Sequence, residues 1–224
     1  SSDTPRDISA WGGVEVNNEG EVTRISWKNG DLEGSIDLQW VPPTVTSFSI
    51  CQSRLVGEID HEHLPDALED LNLYGNKFSG GASLTKLPRH LVHMDIDGNM
   101  LSGQVDLNHL PQRLKRLIFY TNRFEGSLSL KNLPDSLINL SAYDNAFCGT
   151  IDVTNLPSRM NTLLLHTNKL EGDTDFSLLP DTLQWLNVSY NKELRGEIVL
   201  RNSNIHEKHF LTFGTGVDTV IVGG

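Results

Sequence analysis

The sequence predicts a solenoid in which each of about eight repeats lays one strand into a single parallel sheet. Three observations predict it. Leu-Pro recurs every 23 residues, at Leu64-Pro65, Leu87-Pro88, Leu110-Pro111, Leu133-Pro134, Leu156-Pro157 and Leu179-Pro180. Each unit then continues Leu-x-x-Leu-x-Leu-x-x-Asn, and a Gly follows the Asn four residues later. An unbroken period offers no linker, so one continuous domain is expected: an N-terminal cap over 1–21, repeats over 22–202 and a degenerate C-terminal cap over 203–224.

The second and third leucines alternate along a strand and point into the core, while their neighbours face out. Leu71 and Leu73, Met94 and Ile96, Leu117 and Phe119, and Leu163 and Leu165 hold these positions. Ala142 replaces the third leucine in one repeat, and Phe119 and Phe147 are the side chains expected to fill its space. The Asn column, Asn76, Asn99, Asn122, Asn145, Asn168 and Asn191, falls where each strand leaves the sheet. A bend inside a stacked coil strands backbone donors and acceptors, and a carboxamide satisfies both kinds.

One glycine per coil, from Gly34 to Gly196, points to positive φ or close backbone approach. The Phe or Leu two places earlier, as in Phe78, Leu101, Phe124, Phe147 and Leu170, is expected to stack into a spine. After the Gly, Ile36-Asp37-Leu38, Val105-Asp106-Leu107, Leu128-Ser129-Leu130 and Ile151-Asp152-Val153 alternate and read as a second short strand. Proline at each boundary biases its predecessor away from helix, so the convex side should be extended.

These letters resemble the plant-type class of leucine-rich repeat, in a variant common in protist proteins. The resemblance covers about Val22 to Asn202 and implies an α/β-type horseshoe whose convex side carries short strands and little helix. Trp11-Gly12-Gly13-Val14-Glu15-Val16 and Gly20-Glu21-Val22-Thr23-Arg24-Ile25 resemble the N-terminal cap of that class, without its cysteines. Trp11, Val14 and Val16 are expected to cover a first coil built on Ile25, Trp27, Leu32 and Ile36. At the other end Phe210, Phe213, Val217, Val220 and Val222 fit a terminal strand or hairpin closing the last coil. If the tail stays open, Val220-Ile221-Val222 becomes an edge for another chain.

Composition excludes several functions. A formal net charge of -11 repels a phosphate backbone, so nucleic acid is not an expected partner. No stretch approaches the roughly 20 apolar residues that span a bilayer, and residues 1–20 lack an apolar signal core, so membrane insertion is not expected. Cys51 is read at an outward strand position and Cys148 in a loop four repeats on, about 19 Å away at strand spacing, so both are expected as free thiols. The missing cysteine caps lean towards a reducing, cytoplasmic compartment, whereas the sequons at Asn139 and Asn187 lean towards a secreted one.

Function is sought in the outward residues of the concave sheet, which the repeat leaves free. Tyr74, Asp95, Asp97, Arg116, Ile118, Tyr120, Tyr143, Leu164, His166 and Trp185 make the candidate surface. Glu69, Asp70, Asp95 and Asp97 form an acidic sector, Lys115 and Arg116 a basic step, and the aromatic residues with Ile118, Leu164 and Tyr190 an apolar sector. Exposed Tyr, Trp and Arg favour binding hot spots, whereas the alternative is that the rings stack on one another and stabilise the sheet.

The expected role is non-enzymatic recognition of a protein or peptide, by a monomer or a subunit of a hetero-complex. A scaffold or spacer in an assembly and a glycan-binding receptor are the alternatives. No cofactor or metal is expected. His61-Glu62-His63 and His206-Glu207-Lys208-His209 lack helical zinc spacing, the acidic sector lacks a calcium loop, and Gly214-Thr215-Gly216 lacks the helix of a phosphate cradle.

Overall fold

The computed structural model describes residues 8–28, 30, 32–201 and 208–222. Ten strands form the concave sheet: Val14–Val16, Val22–Lys28, Ser47–Cys51, Asp70–Asn72, His93–Asp95, Arg116–Ile118, Asn139–Ser141, Thr162–Leu164, Trp185–Asn187 and His209–Leu211. They lie side by side in chain order. Every pairing is parallel except the first, where Val14–Val16 runs antiparallel to Val22–Lys28. The two strands beyond the expected eight come from the ends, where the cap hairpin and the tail both join the sheet.

Register follows the repeat. Leu71 pairs with Met94, Met94 with Leu117, Leu117 with Leu140, Leu140 with Leu163 and Leu163 with Leu186, so one core residue per coil stacks on the next. These side chains and the Phe78, Leu101, Phe124, Phe147 and Leu170 spine are fully buried. Ala142 is fully buried, and Phe119 meets Phe147 edge to face at a centroid distance of 6.0 Å and Phe124 at 5.7 Å.

The second strand of each coil lies earlier than the sequence suggests. It spans the segment around the Gly, as in Arg123–Ser127, Ala146–Gly149 and Lys169–Asp175, and assembles into sheets of three and six strands. Ile36-Asp37-Leu38, Val105-Asp106-Leu107, Leu128-Ser129-Leu130 and Ile151-Asp152-Val153 are not strands. Their alternation reports burial of one side only. The carboxylates of Asp37, Asp106 and Asp152 accept the N–H two residues on, in Gln39, Asn108 and Thr154, and so turn the chain away from any ladder. Among the described residues the only helices are three-residue 3-10 turns, at Ile8–Ala10, Leu38–Trp40 and Leu84–Lys86. None is long and apolar enough to cross a membrane.

The two ends differ. At the N-terminal end the cap strand is pinned where Trp27 Nε1 donates to the Gly12 carbonyl at 3.1 Å, and Trp27 stacks on Trp40 at 6.1 Å. Ile25 is buried and Val14, Val16 and Ile36 half-buried, but Trp11 and Leu32, expected in that closure, are exposed. Trp40, on which Trp27 stacks, is 45% exposed as well.

At the C-terminal end, among the described residues, no hairpin folds back over the last coil. His209–Leu211 extends the concave sheet and Gly216–Val222 extends the opposite one, both in parallel register, so the tail is one more coil. Its outer edges carry no partner among the described residues. Val217 is buried and Phe210 half-buried, while Phe213, Ile221, Val220 and Val222 are exposed.

Candidate functional site

The Asn column is the frame on which the concave wall hangs. Asn122 Nδ2 donates to the carbonyls of Ile96, Phe119 and Tyr120, and its Oδ1 accepts the Leu101 N–H of the preceding coil at 3.0 Å. Asn76, Asn99, Asn145, Asn168 and Asn191 repeat the pattern with Leu55, Phe78, Phe124, Phe147 and Leu170. Each carboxamide thus binds two coils together.

Between the wall and each Asn sits a column the sequence reading missed. Gln52, Gly75, Gly98, Thr121, Asp144, Thr167 and Tyr190 all take positive φ, from 48° to 67°. The sharp exit from the strand demands this conformation, which glycine tolerates and a β-branched residue resists. Gly75 and Gly98 at the 23-residue spacing were the available signal.

The wall itself carries three outward columns, all in register. Arg116 lies between His93 and Asn139, and Thr162 beside Trp185. Ile118 lies between Asp95 and Ser141, with Leu164 beyond. Carbonyl contacts across the coils align Tyr74, Asp97, Tyr120, Tyr143 and His166 in the third.

Within these columns the expected zones separate. Tyr120 stacks on Tyr143 at 4.2 Å and 9°, and Tyr143 on His166 at 4.1 Å and 14°, giving a continuous ladder of three rings. Trp185 stacks separately on His209 at 4.0 Å. Tyr120, Tyr143, Leu164 and His166 are half-buried, and Trp185 is 46% exposed. His166 is held below its ordinary pKa by burial, and its Nδ1 has no hydrogen-bond partner.

Several residues at outward positions are buried, Cys51, Asp97 and Ile118 among them, with Ser49, Ser141 and Ser189. Strands about 4.8 Å apart bring column neighbours together, and larger flanking side chains close over small or short ones. Cys51 lies between Lys28 and Tyr74, its Sγ 3.1 Å from both Ser49 Oγ and Asn72 Oδ1. Burial raises its pKa, so it stays a thiol. Cys148 is exposed and also free.

The acidic sector is not a uniform negative patch. His93 Nδ1 bonds the Asp70 carboxylate, and Arg113 lies 3.7 Å from Glu69. Asp95 is pushed up to about 8, first by burial and then by its contact with Asp97, with Arg116 opposing. Asp95 is therefore favoured in its protonated form near neutral pH. Tyr120 is bonded into this pair, and burial with the adjacent Asp97 keeps its hydroxyl protonated. Arg24, Ser49, Asn72, His93, Asp95 and Arg116 line a polar cleft of about 440 Å³ at this end of the wall.

Among the described residues no group of three His, Cys, Asp or Glu side chains is arranged to hold a metal ion. His206 and Glu207 lie outside the described residues, and His209 is a stacking partner of Trp185. Asn139 and Asn187 both stand on the concave strands, where Asn187 Oδ1 accepts the Ser189 N–H at 3.0 Å.

No protein-family model and no curated protein sequence matches the chain. Solved structures do match. A plant ice-binding protein is 19% identical with a TM-score of 0.63, over 100% of this chain and 82% of that one. Pollen Receptor Kinase 3 is 21% identical with a TM-score of 0.56, over 80% and 84%. The Arabidopsis receptor kinase HAESA, solved with the peptide hormone IDA and the co-receptor SERK1, is 19% identical with a TM-score of 0.52, and this chain spans 50% of it. The fold is that of the leucine-rich-repeat solenoid, a parallel-strand rod of coils with almost no helix.

Proposed function

We propose that this chain is a non-enzymatic recognition module that binds a protein or peptide along its concave sheet. The observation that carries the reading is a set of apolar and aromatic side chains on the outward wall that the coil does not need for its core. In Thr162–Leu164 the core residue is Leu163, yet Leu164 faces out. In the next two strands Leu186 is buried while Trp185 and Leu211 are exposed. Solvent-facing groups of this kind beside a polar cleft match the apolar centre and polar rim of a binding surface. The ring stacking that stabilises the wall also fixes its aromatic groups in place, so partner binding loses little side-chain freedom there. The likeness in fold to receptor ectodomains, one of them solved with a peptide hormone, supports a peptide or protein as the occupant.

A library of displayed peptides selected on the intact chain tests this. Tyr120→Ala combined with Trp185→Ala should erase enrichment while leaving the thermal melt cooperative. Equal enrichment on the double variant would discredit the concave site.

A second reading, a subunit of a larger assembly, is favoured by the exposed Phe213 and Ile221. Phe213→Glu with Ile221→Lys would then dissolve a self-association that the concave variants leave intact, as sedimentation reads directly.

A further inference from the structure

The floor of the concave wall acquires a step of its own over the three coils built on Thr162–Leu164, Trp185–Asn187 and His209–Leu211. The middle outward column there reads Leu164, Asn187 and Leu211, set side by side by strand pairing. Leu164 is half-buried and Leu211 40% exposed, with a carboxamide between them. Strands about 4.8 Å apart put these leucines, two coils apart, at about 9.6 Å. The same two-coil step leads back from Leu164 to Ile118, which is buried.

Stacked rings border this floor on both sides. Trp185 and His209 lie face to face at 4.0 Å in one outer column, and Tyr143 and His166 at 4.1 Å in the other. The two pairs are staggered along the rod. Four residues of strand, about 13 Å, separate their columns and leave a trough floored by the leucines and Asn187. Trp185 Nε1 and Asn187 Nδ2 have no hydrogen-bond partner among the described residues. Asn187 Oδ1 is already taken by the Ser189 N–H at 3.0 Å, so both free groups are donors.

A chain lying along this trough must offer an apolar side chain at each two-coil step and acceptors to those donors. A β-strand repeats on one face about every 6.7 Å, and an α-helix turns about every 5.4 Å. Polyproline II completes a turn in three residues and rises about 9.3 Å in doing so, which matches the step. Proline also lacks an N–H, so such a segment brings carbonyl acceptors and few donors of its own.

We infer that this stretch of the concave wall binds a proline-rich peptide in polyproline-II conformation, its apolar side chains three residues apart seated on Leu164 and Leu211 and its carbonyls accepting from Trp185 and Asn187. The inference rests on the concave reading and names the conformation and composition of its ligand.

Calorimetry on the whole chain compares three blocked peptides: three Pro-Pro-Leu units in tandem, the same residues with the leucines made consecutive, and three Ser-Ser-Leu units. The first should bind saturably, and each of the others about tenfold more weakly or worse. Trp185→Phe keeps the ring and removes the N–H, while Asn187→Asp keeps the acceptor of the Ser189 bond and removes the donor. Each should weaken the first peptide about fivefold with the thermal melt still cooperative. Leu164→Ser with Leu211→Ser should abolish its binding. Equal binding by all three peptides, or none by the first, would overturn the inference. Displayed peptides enriched on the concave wall without proline and without a three-residue apolar spacing would sink it while leaving the concave reading intact, whereas no enrichment at all removes both.

Discussion

Asn122 Oδ1 accepts the backbone N–H of Leu101 at 3.0 Å, from the coil before its own. Replacing Asn122 with Ala leaves that donor unpaired, while the carbonyls of Ile96 and Phe119 keep only the bonds from Asn99 and Asn145. Asn122→Ala should therefore lower unfolding free energy by roughly 1–3 kcal/mol. Chemical denaturation followed by far-UV dichroism measures it, and an unchanged midpoint would remove the structural role assigned to the column.

Thr167 sits at φ 56°, a conformation that costs an L residue roughly 1–2 kcal/mol and a β-branched one most of all. Asn enters the left-handed region more readily. Thr167→Asn should raise stability by about 0.5–1 kcal/mol, because its backbone bond to the Ser189 carbonyl is kept. A lowered denaturation midpoint would show that the turn draws on the Thr side chain itself.

His61 contributes to acid sensitivity. Burial lowers its folded-state pKa from 6.5 to about 4, so between these values the unfolded chain binds the extra proton. Stability is fully present above pH 6.5 and is lost as pH falls towards 4, by about 3 kcal/mol from this group. Asp95 acts in the opposite sense: its raised folded pKa makes stability fall as pH rises towards about 8. Other shifted groups, Asp106 and Asp152 among them, add to the native profile, so the difference between native and His61→Leu chains isolates the histidine. His61→Leu should raise stability near neutral pH by roughly 1–3 kcal/mol and flatten the acid limb. Parallel profiles in the two chains would rule out the titration.

The core was legible because its residues answer to a period. Leu71, Met94, Leu117, Leu140, Leu163 and Leu186 are fixed by spacing alone, and so are the outward columns. What spacing does not carry is how side chains in adjacent coils crowd one another. Ile118 and Asp97 were placed on the right side of the sheet yet proved buried, since exposure depends on neighbours 23 residues away. The same crowding turned Tyr120, Tyr143 and His166 into a stack whose members cover each other's faces. The second strand was displaced because burial alternation and ladder hydrogen bonding are different signals, and the Asx turns at Asp106 and Asp152 separate them. The tail after Asn202 lost the Leu/Asn letters but kept the strand geometry, which parallel pairing with Glu193–Arg201 imposes without any motif.

The carboxamide links all point one way. Each Asn completes the coil that precedes it, and the last of them, Asn191, serves Leu170. Leu194, the next residue in that series, has its N–H on the Asn191 carbonyl instead. The rod therefore has a chemical polarity: losing a coil from the C-terminal end leaves backbone groups of its predecessor without the carboxamide, whereas losing one from the N-terminal end leaves the carboxamide of its successor without those backbone groups.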